Sequence, residues 1–197
     1  GYLKLSSTWD ASNNPGLCIN ATSLTVKGGY VEATCAKDCI TAFNTYTQTG
    51  GYVKASSTYS DDYSGLQVNS TATVSGGYLE AYGGNGIKMG TGSGTITNSG
   101  GVIKATSKAI NGIKGNLTAS GGVTIAKGAG SSQKAVTGAI TLTEDEKVFD
   151  NTGADVETVE ATLAQNKTDL SSIVVAKVTY KMSQDSLTTL NGTYIKC

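Results

Sequence analysis

Apolar and polar positions alternate in a short phrase that this chain writes six times. It reads Gly1-Tyr2-Leu3-Lys4-Leu5, Gly29-Tyr30-Val31-Glu32-Ala33, Gly51-Tyr52-Val53-Lys54-Ala55 and Gly77-Tyr78-Leu79-Glu80-Ala81. Gly101-Val102-Ile103-Lys104-Ala105 and a weaker Gly122-Val123-Thr124-Ile125-Ala126 complete the series. The second and fourth positions after the glycine are aliphatic or Ala, and the first and third are Tyr or Val and Lys or Glu. Such period-two alternation predicts a strand with one face turned inward. Glycine pairs open the later phrases at positions 28, 50, 76, 100 and 121, a spacing of 22, 26, 24 and 21 residues. A phrase that returns at this interval is a structural repeat.

Two further apolar stretches precede each glycine pair. One runs through Leu24-Thr25-Val26, Tyr46-Thr47-Gln48, Ala72-Thr73-Val74, Thr95-Ile96-Thr97 and Leu117-Thr118-Ala119. The other runs through Leu17-Cys18-Ile19, Cys39-Ile40-Thr41, Leu66-Gln67-Val68, Ile87-Lys88-Met89 and Ile113-Lys114. Three short strands and three corners per repeat predict an all-β fold, a parallel β-helix. Leucine-rich repeats have a similar period, but their Leu ladder with a fixed Asn is absent. The glycine pairs suit corners that need positive φ.

Stacked rungs place equivalent residues about 4.8 Å apart. Leu3, Val31, Val53, Leu79 and Ile103 then form one interior column, and Leu5, Ala33, Ala55, Ala81 and Ala105 a narrower one. Outside, Lys4, Glu32, Lys54, Glu80 and Lys104 alternate in sign at every rung. Opposite charges on facing strands attract and like charges repel, so this alternation checks the register. Beside it stand Tyr2, Tyr30, Tyr52 and Tyr78, a strip of aromatic rings with hydroxyl tips. A sugar ring has one apolar C–H face and a polar rim, so the Tyr column is the candidate ligand platform and the Lys/Glu column its polar edge. Aromatic columns also stabilise β-helices by stacking alone, and both readings stand on this sequence.

The pattern changes after Thr143. Residues 1–143 read as β-helix repeats and 144–197 as a C-terminal cap or docking segment with mixed α/β character. Val156, Val159 and Leu163 fall at helical spacing behind Asp155, a plausible N-cap. Residues 172–181 and 186–196 read as strands. A terminal cap is expected because the end of a β-helix offers unpaired backbone groups.

Composition narrows the chemistry. All 15 basic residues are Lys; Arg and His are absent, and the formal net charge is zero. This removes His-based catalysis and His metal sites and gives no footprint for nucleic acid. The chain therefore reads as non-enzymatic. It has no apolar run of transmembrane length, and its Thr/Ser/Gly-rich, Arg-free make-up suggests an extracellular protein. Cysteines stand at 18, 35, 39 and 197. Cys18 and Cys39 precede their glycine pairs by similar distances, so a Cys18–Cys39 bridge between adjacent rungs is the preferred pairing. A Cys35–Cys39 bridge within one corner competes with it, and Cys197 is then free or intermolecular. Corner carboxylates at Asp10, Asp38, Asp61 and Asp62 are candidate calcium ligands if the corners stack, with Asp38, Asp61 and Asp62 as the core of the set.

The stretch Gly112-Ile113-Lys114 to Leu117-Thr118-Ala119-Ser120-Gly121-Gly122-Val123-Thr124-Ile125 resembles bacterial β-helical carbohydrate-binding, adhesin-like surface proteins. Gly86-Ile87-Lys88 with Gly94-Thr95-Ile96-Thr97-Asn98-Ser99-Gly100-Gly101 carries the same pattern, and the likeness covers roughly 1–143. It implies a right-handed parallel β-helix, secretion, display at the cell surface, polysaccharide binding and, in some members, calcium. This chain has Tyr where that family usually has Thr after the glycine pair. The alternative function is structural: the sequence opens mid-phrase at Gly1-Tyr2, so its first rung would invite a second copy and build a filament or surface layer.

Overall fold

A computed structural model describes residues 1–8, 16–59, 61–90, 92–143, 146–150, 162–163 and 170–177. It is all-β, and parallel strands stack into a β-helix. The first turns hold β1 (Tyr2–Ser6), β2 (Ile19–Val26), β3 (Tyr30–Cys35), β4 (Ile40–Gln48) and β5 (Tyr52–Ser57). The middle holds β6 (Ser64–Val68), β7 (Thr71–Val74), β8 (Tyr78–Gly83), β9 (Asn85–Met89) and β10 (Thr95–Ser107). The last turns hold β11 (Ile113–Lys114), β12 (Asn116–Lys127) and β13 (Ile140–Leu142), followed by β14 (Glu146–Asp150), β15 (Thr162–Leu163) and β16 (Ser172–Lys177).

The repeated phrase builds one face. β1, β3, β5, β8, the second half of β10 and the second half of β12 pair in parallel, in that order. The register is the one that the charge alternation required: Tyr2, Tyr30, Tyr52, Tyr78 and Val102 align, as do Lys4, Glu32, Lys54, Glu80 and Lys104. A second face joins the late halves of β2 and β4 to β7, β10, β12 and β13. A third joins the early halves of β2 and β4 to β6, β9 and β11.

Three apolar columns fill the interior. Val53, Leu79 and Ile103 line the first face, Ile40, Leu66, Ile87 and Ile113 the third, and Tyr46, Ala72, Ile96 and Leu117 the second, all fully or almost fully buried. Each large aliphatic contributes roughly 1.5–3 kcal/mol. The bulky Tyr46 sits beside the small Ala72 in the next turn, so summed volume is kept from rung to rung.

Buried amides hold the corners. Gln48 accepts a hydrogen bond from the Tyr46 hydroxyl at 2.7 Å and donates to the carbonyls of Gly51 and Tyr78. Two turns on, Asn98 donates to the Gly101 and Val123 carbonyls and accepts from the Gly101 amide. Both occupy one register column with Val26 and Val74. The corner itself demands glycine. Gly51 and Gly77 have φ of 76° and 78°, and a Cβ on Gly77 would lie 2.3 Å from the Gly51 carbonyl oxygen. The expectation of a positive-φ corner at every pair fails at Gly100-Gly101, where β10 runs straight through with shifts of register.

The sixth phrase also departs from the pattern. Thr124 takes the interior place aligned with Ile103, where it accepts from Asn98 at 3.0 Å, and Ile125 aligns with Lys104.

Beyond β13 the expected cap is built from strands. β16 runs antiparallel to the second half of β12, and β14 runs antiparallel to β16. They cover the edge that β12 would otherwise leave unpaired. Among the described residues of this tail there is no helix, and the helical reading is corrected at Leu163, which lies in β15 opposite Phe149. The remainder of the proposed helix and the strand at 186–196 lie outside the described residues, and of 172–181 the part to Lys177 is strand. No helix among the described residues is long and apolar enough to cross a membrane.

Candidate functional site

The first face carries both candidate columns because its strands turn alternate side chains outward. The Tyr column forms as a continuous stack. Ring centroids are 5.1 Å apart from Tyr2 to Tyr30, 4.9 Å from Tyr30 to Tyr52 and 4.9 Å from Tyr52 to Tyr78. The last two pairs are within 3° and 6° of parallel. Backbone hydrogen bonds from the Tyr52 amide to the Gly29 carbonyl and from the Tyr78 amide to the Gly51 carbonyl fix this spacing. The consequence alters the sequence reading. Much of each interior ring face is taken by the next ring, so the column offers solvent chiefly edges and hydroxyls. Tyr2, at one end of the stack, is 62 % exposed.

The polar edge binds the column to itself. The Tyr2 hydroxyl donates to Glu32 at 2.9 Å and the Tyr52 hydroxyl to Glu80 at 2.6 Å. Lys4 pairs with Glu32 at 3.8 Å, and Lys104 with Glu80 at 3.3 Å. Partial burial alone would raise the Glu80 carboxyl. The Tyr52 hydroxyl and the charges of Lys104 and Lys54 outweigh it and hold Glu80 below the usual carboxylate range. Burial, then the bond to Glu80, pushes the Tyr52 phenol well above its ordinary value. For Tyr2 the hydrogen bond to Glu32 is the leading cause of a smaller rise. These groups therefore form an ion-paired, hydrogen-bonded network along the face.

A third outward column, at the fifth position after the glycine, was not singled out in the sequence. It aligns Ser6, Thr34, Ser56, Tyr82 and Thr106. Extending the period-two alternation by one step would have found it. At its open end lies a shallow groove lined by Ser6, Ser7, Thr8, Thr34, Thr58 and the ring of Tyr59. Tyr59 is 54 % exposed, and Tyr82 on the same face is 40 % exposed. Hydroxyls set beside open aromatic rings can hydrogen-bond a polyol while covering its apolar face.

Among the described residues no three corner carboxylates lie close enough to share an ion. Asp38 is engaged by the Ser64 amide at 2.7 Å. Its burial raises the carboxyl, opposed by that amide and by Lys88 and Lys37. Asp61 and Asp62 are exposed, and Asp10 lies outside the described residues. Among the described residues the single group of three Cys, His, Asp or Glu side chains close enough to share an ion is Cys18, Cys35 and Cys39.

The preferred Cys18–Cys39 bridge is also corrected. Cys18 is bonded to Cys35, and Cys39 is a buried free thiol. Cys18 and Cys39 are rung neighbours as expected, with the Cys18 amide directed at the Cys39 carbonyl. Cys35, however, is the third inward residue of β3 after Val31 and Ala33, and its side chain is fully buried between the two. Cys197 lies outside the described residues.

Comparison with protein-family models, with curated proteins and with solved structures finds no match for this chain.

Proposed function

We propose that this protein is a non-catalytic extracellular surface module that binds polysaccharide along the outward side of its first face. The observation that carries this reading is the groove lined by Ser6, Ser7, Thr8, Thr34, Thr58 and the exposed Tyr59. It replaces the ring faces of the Tyr stack as the place where a sugar would lie; the stack supplies a rigid, flat backing. A linear glycan suits a surface that repeats along one axis, because successive sugar units can meet successive rungs. The Cys18–Cys35 disulfide supports an oxidising compartment. The absence of His and Arg from the sequence supports binding without catalysis.

The test is a binding screen of the folded protein against immobilised polysaccharides, followed by Tyr59→Ala and Thr34→Val on any ligand found. Both substitutions are expected to weaken binding at least tenfold while leaving the melting temperature within a few degrees. Binding that survives both would overturn the groove, and a panel with no ligand at all would overturn the function.

A second reading rests on the first turn. Leu3 is 47 % exposed although its column partners Val53, Leu79 and Ile103 are fully buried. Among the described residues β1 is paired on one side only, with β3. Any strand laid on the other side would bury Leu3, and where a second copy of the chain supplies it the protein is a filament subunit. Strictly monodisperse particles in negative stain would rule this out.

A further inference from the structure

Three sulfurs meet at the junction of the first two turns. Cys35 Sγ is bonded to Cys18 Sγ and lies 2.8 Å from the Cys39 thiol. That separation is well inside the roughly 3.5–4.0 Å at which non-bonded heavy atoms ordinarily rest. Cys35 thus stands between two partners, and neither neighbour needs the backbone to move far to reach it. The two outer sulfurs differ in access. Cys39 is fully buried, whereas Cys18 is partly exposed, with its sulfur 3.9 Å from the Ser7 hydroxyl and 3.6 Å from the Thr34 carbonyl. Ser7 and Thr34 are both groove residues.

We propose that Cys18, Cys35 and Cys39 form an internal thiol–disulfide exchange site that releases Cys18 as a modifiable thiol at the edge of the groove. The Cys39 thiolate attacks Cys35 Sγ, the Cys35–Cys39 bond forms, and the Cys18–Cys35 bond breaks. Cys18 leaves as a thiolate and takes up the proton that Cys39 gave up. The redox state of the protein is unchanged, so no oxidant or reductant is consumed. The released thiol can then take an electrophile, or form a mixed disulfide with a small-molecule disulfide while expelling one thiol from it. The attacking species is the thiolate. Burial pushes the Cys39 thiol up to about 12, so its thiolate is scarce at neutral pH, and the exchange is slow and speeds up as pH rises. The Cys18–Cys35 bridge also ties the start of β2 to the end of β3. Its transfer to Cys35–Cys39 unfastens the first turn from the second while leaving their strand pairing in place.

The unaltered protein provides the test. It is incubated folded and without reductant in excess N-ethylmaleimide, acidified, digested with trypsin under non-reducing conditions and mapped by mass spectrometry. Cleavage after Lys4, Lys27, Lys37 and Lys54 separates the three cysteines into the peptides 5–27, 28–37 and 38–54. The expected result is maleimide on Cys18, accumulating with time to about tenfold or more over that on Cys39, with 28–37 disulfide-linked to 38–54. Maleimide chiefly on Cys39, or no label on any of the three with 5–27 still linked to 28–37, would overturn the proposal. Cys39→Ala should keep the Cys18–Cys35 link and abolish label on Cys18. Label on Cys18 in that variant would equally overturn it.

Discussion

Tyr52→Ala is the sharpest perturbation of the Tyr stack. Tyr52 has a parallel ring 4.9 Å away on each side and donates its hydroxyl to Glu80 at 2.6 Å. Each aromatic pair is worth about 0.5–1.5 kcal/mol beyond area burial, so the two lost stacks cost about 1–3 kcal/mol. The hydrogen bond to a charged group adds about 1 kcal/mol, below the roughly 1.5–3 kcal/mol of a buried one because the carboxylate is partly exposed. Tyr52→Ala is therefore expected to cost about 2–4 kcal/mol. Tyr2→Ala is the internal control: that ring ends the stack and is 62 % exposed, so its loss should cost far less than that of Tyr52. Tyr52→Phe isolates the hydroxyl and should cost about 1 kcal/mol. Urea unfolding followed by far-ultraviolet circular dichroism measures all three. If Tyr52→Ala and Tyr2→Ala agree within about 0.5 kcal/mol, the rings do not stabilise one another and the stack is no scaffold.

Two further outcomes follow from the corner and from the charge column. Gly77→Ala combines a φ of 78° with a Cβ placed 2.3 Å from a backbone oxygen, and should cost about 2 kcal/mol or more; a melting temperature unchanged by calorimetry would refute the close approach. Because Glu80 is held below its unfolded value, the folded state binds this proton less readily than the unfolded chain. Its stabilising contribution is present above the ordinary Glu range near 4.3 and is lost as pH falls through the folded value. Glu80→Gln should thus flatten the acid limb of a stability–pH curve, and parallel curves for the two proteins would be the contrary result.

Much of this architecture is written in side chains that face each other across rungs. Lys4, Glu32, Lys54, Glu80 and Lys104 could alternate in sign only to some purpose, and direct neighbourhood supplies one; the strand pairing follows that register. Interior columns were legible for the same reason, since Val53, Leu79 and Ile103 recur at one place in the phrase and are fully buried. What sequence spacing left open was rotamer and reach. It placed four tyrosines in a row but could not tell whether ring faces would meet sugar or one another. It placed Cys18 and Cys39 in adjacent turns, yet the bond goes to Cys35, which the inward alternation of β3 carries between them. Leu163 shows the limit of helical spacing over a few residues: pairing with Phe149 decided its state.

The charge column and the corner amides keep time together. Turns that carry Lys4 and Lys54 outside carry Val26 and Val74 inside, while turns that carry Glu32 and Glu80 carry Gln48 and Asn98. The tyrosine hydroxyls that reach a carboxylate, Tyr2 to Glu32 and Tyr52 to Glu80, do so at the same two-turn interval. Over the first four turns the chemical repeat is therefore a doublet. Excising the second or the third turn alone would bring two like charges face to face and set valine against valine or amide against amide. Excising both together would set Lys4 against Glu80 and Val26 against Asn98, the same kinds of neighbour as before, so this stretch should tolerate removal of two turns better than removal of one.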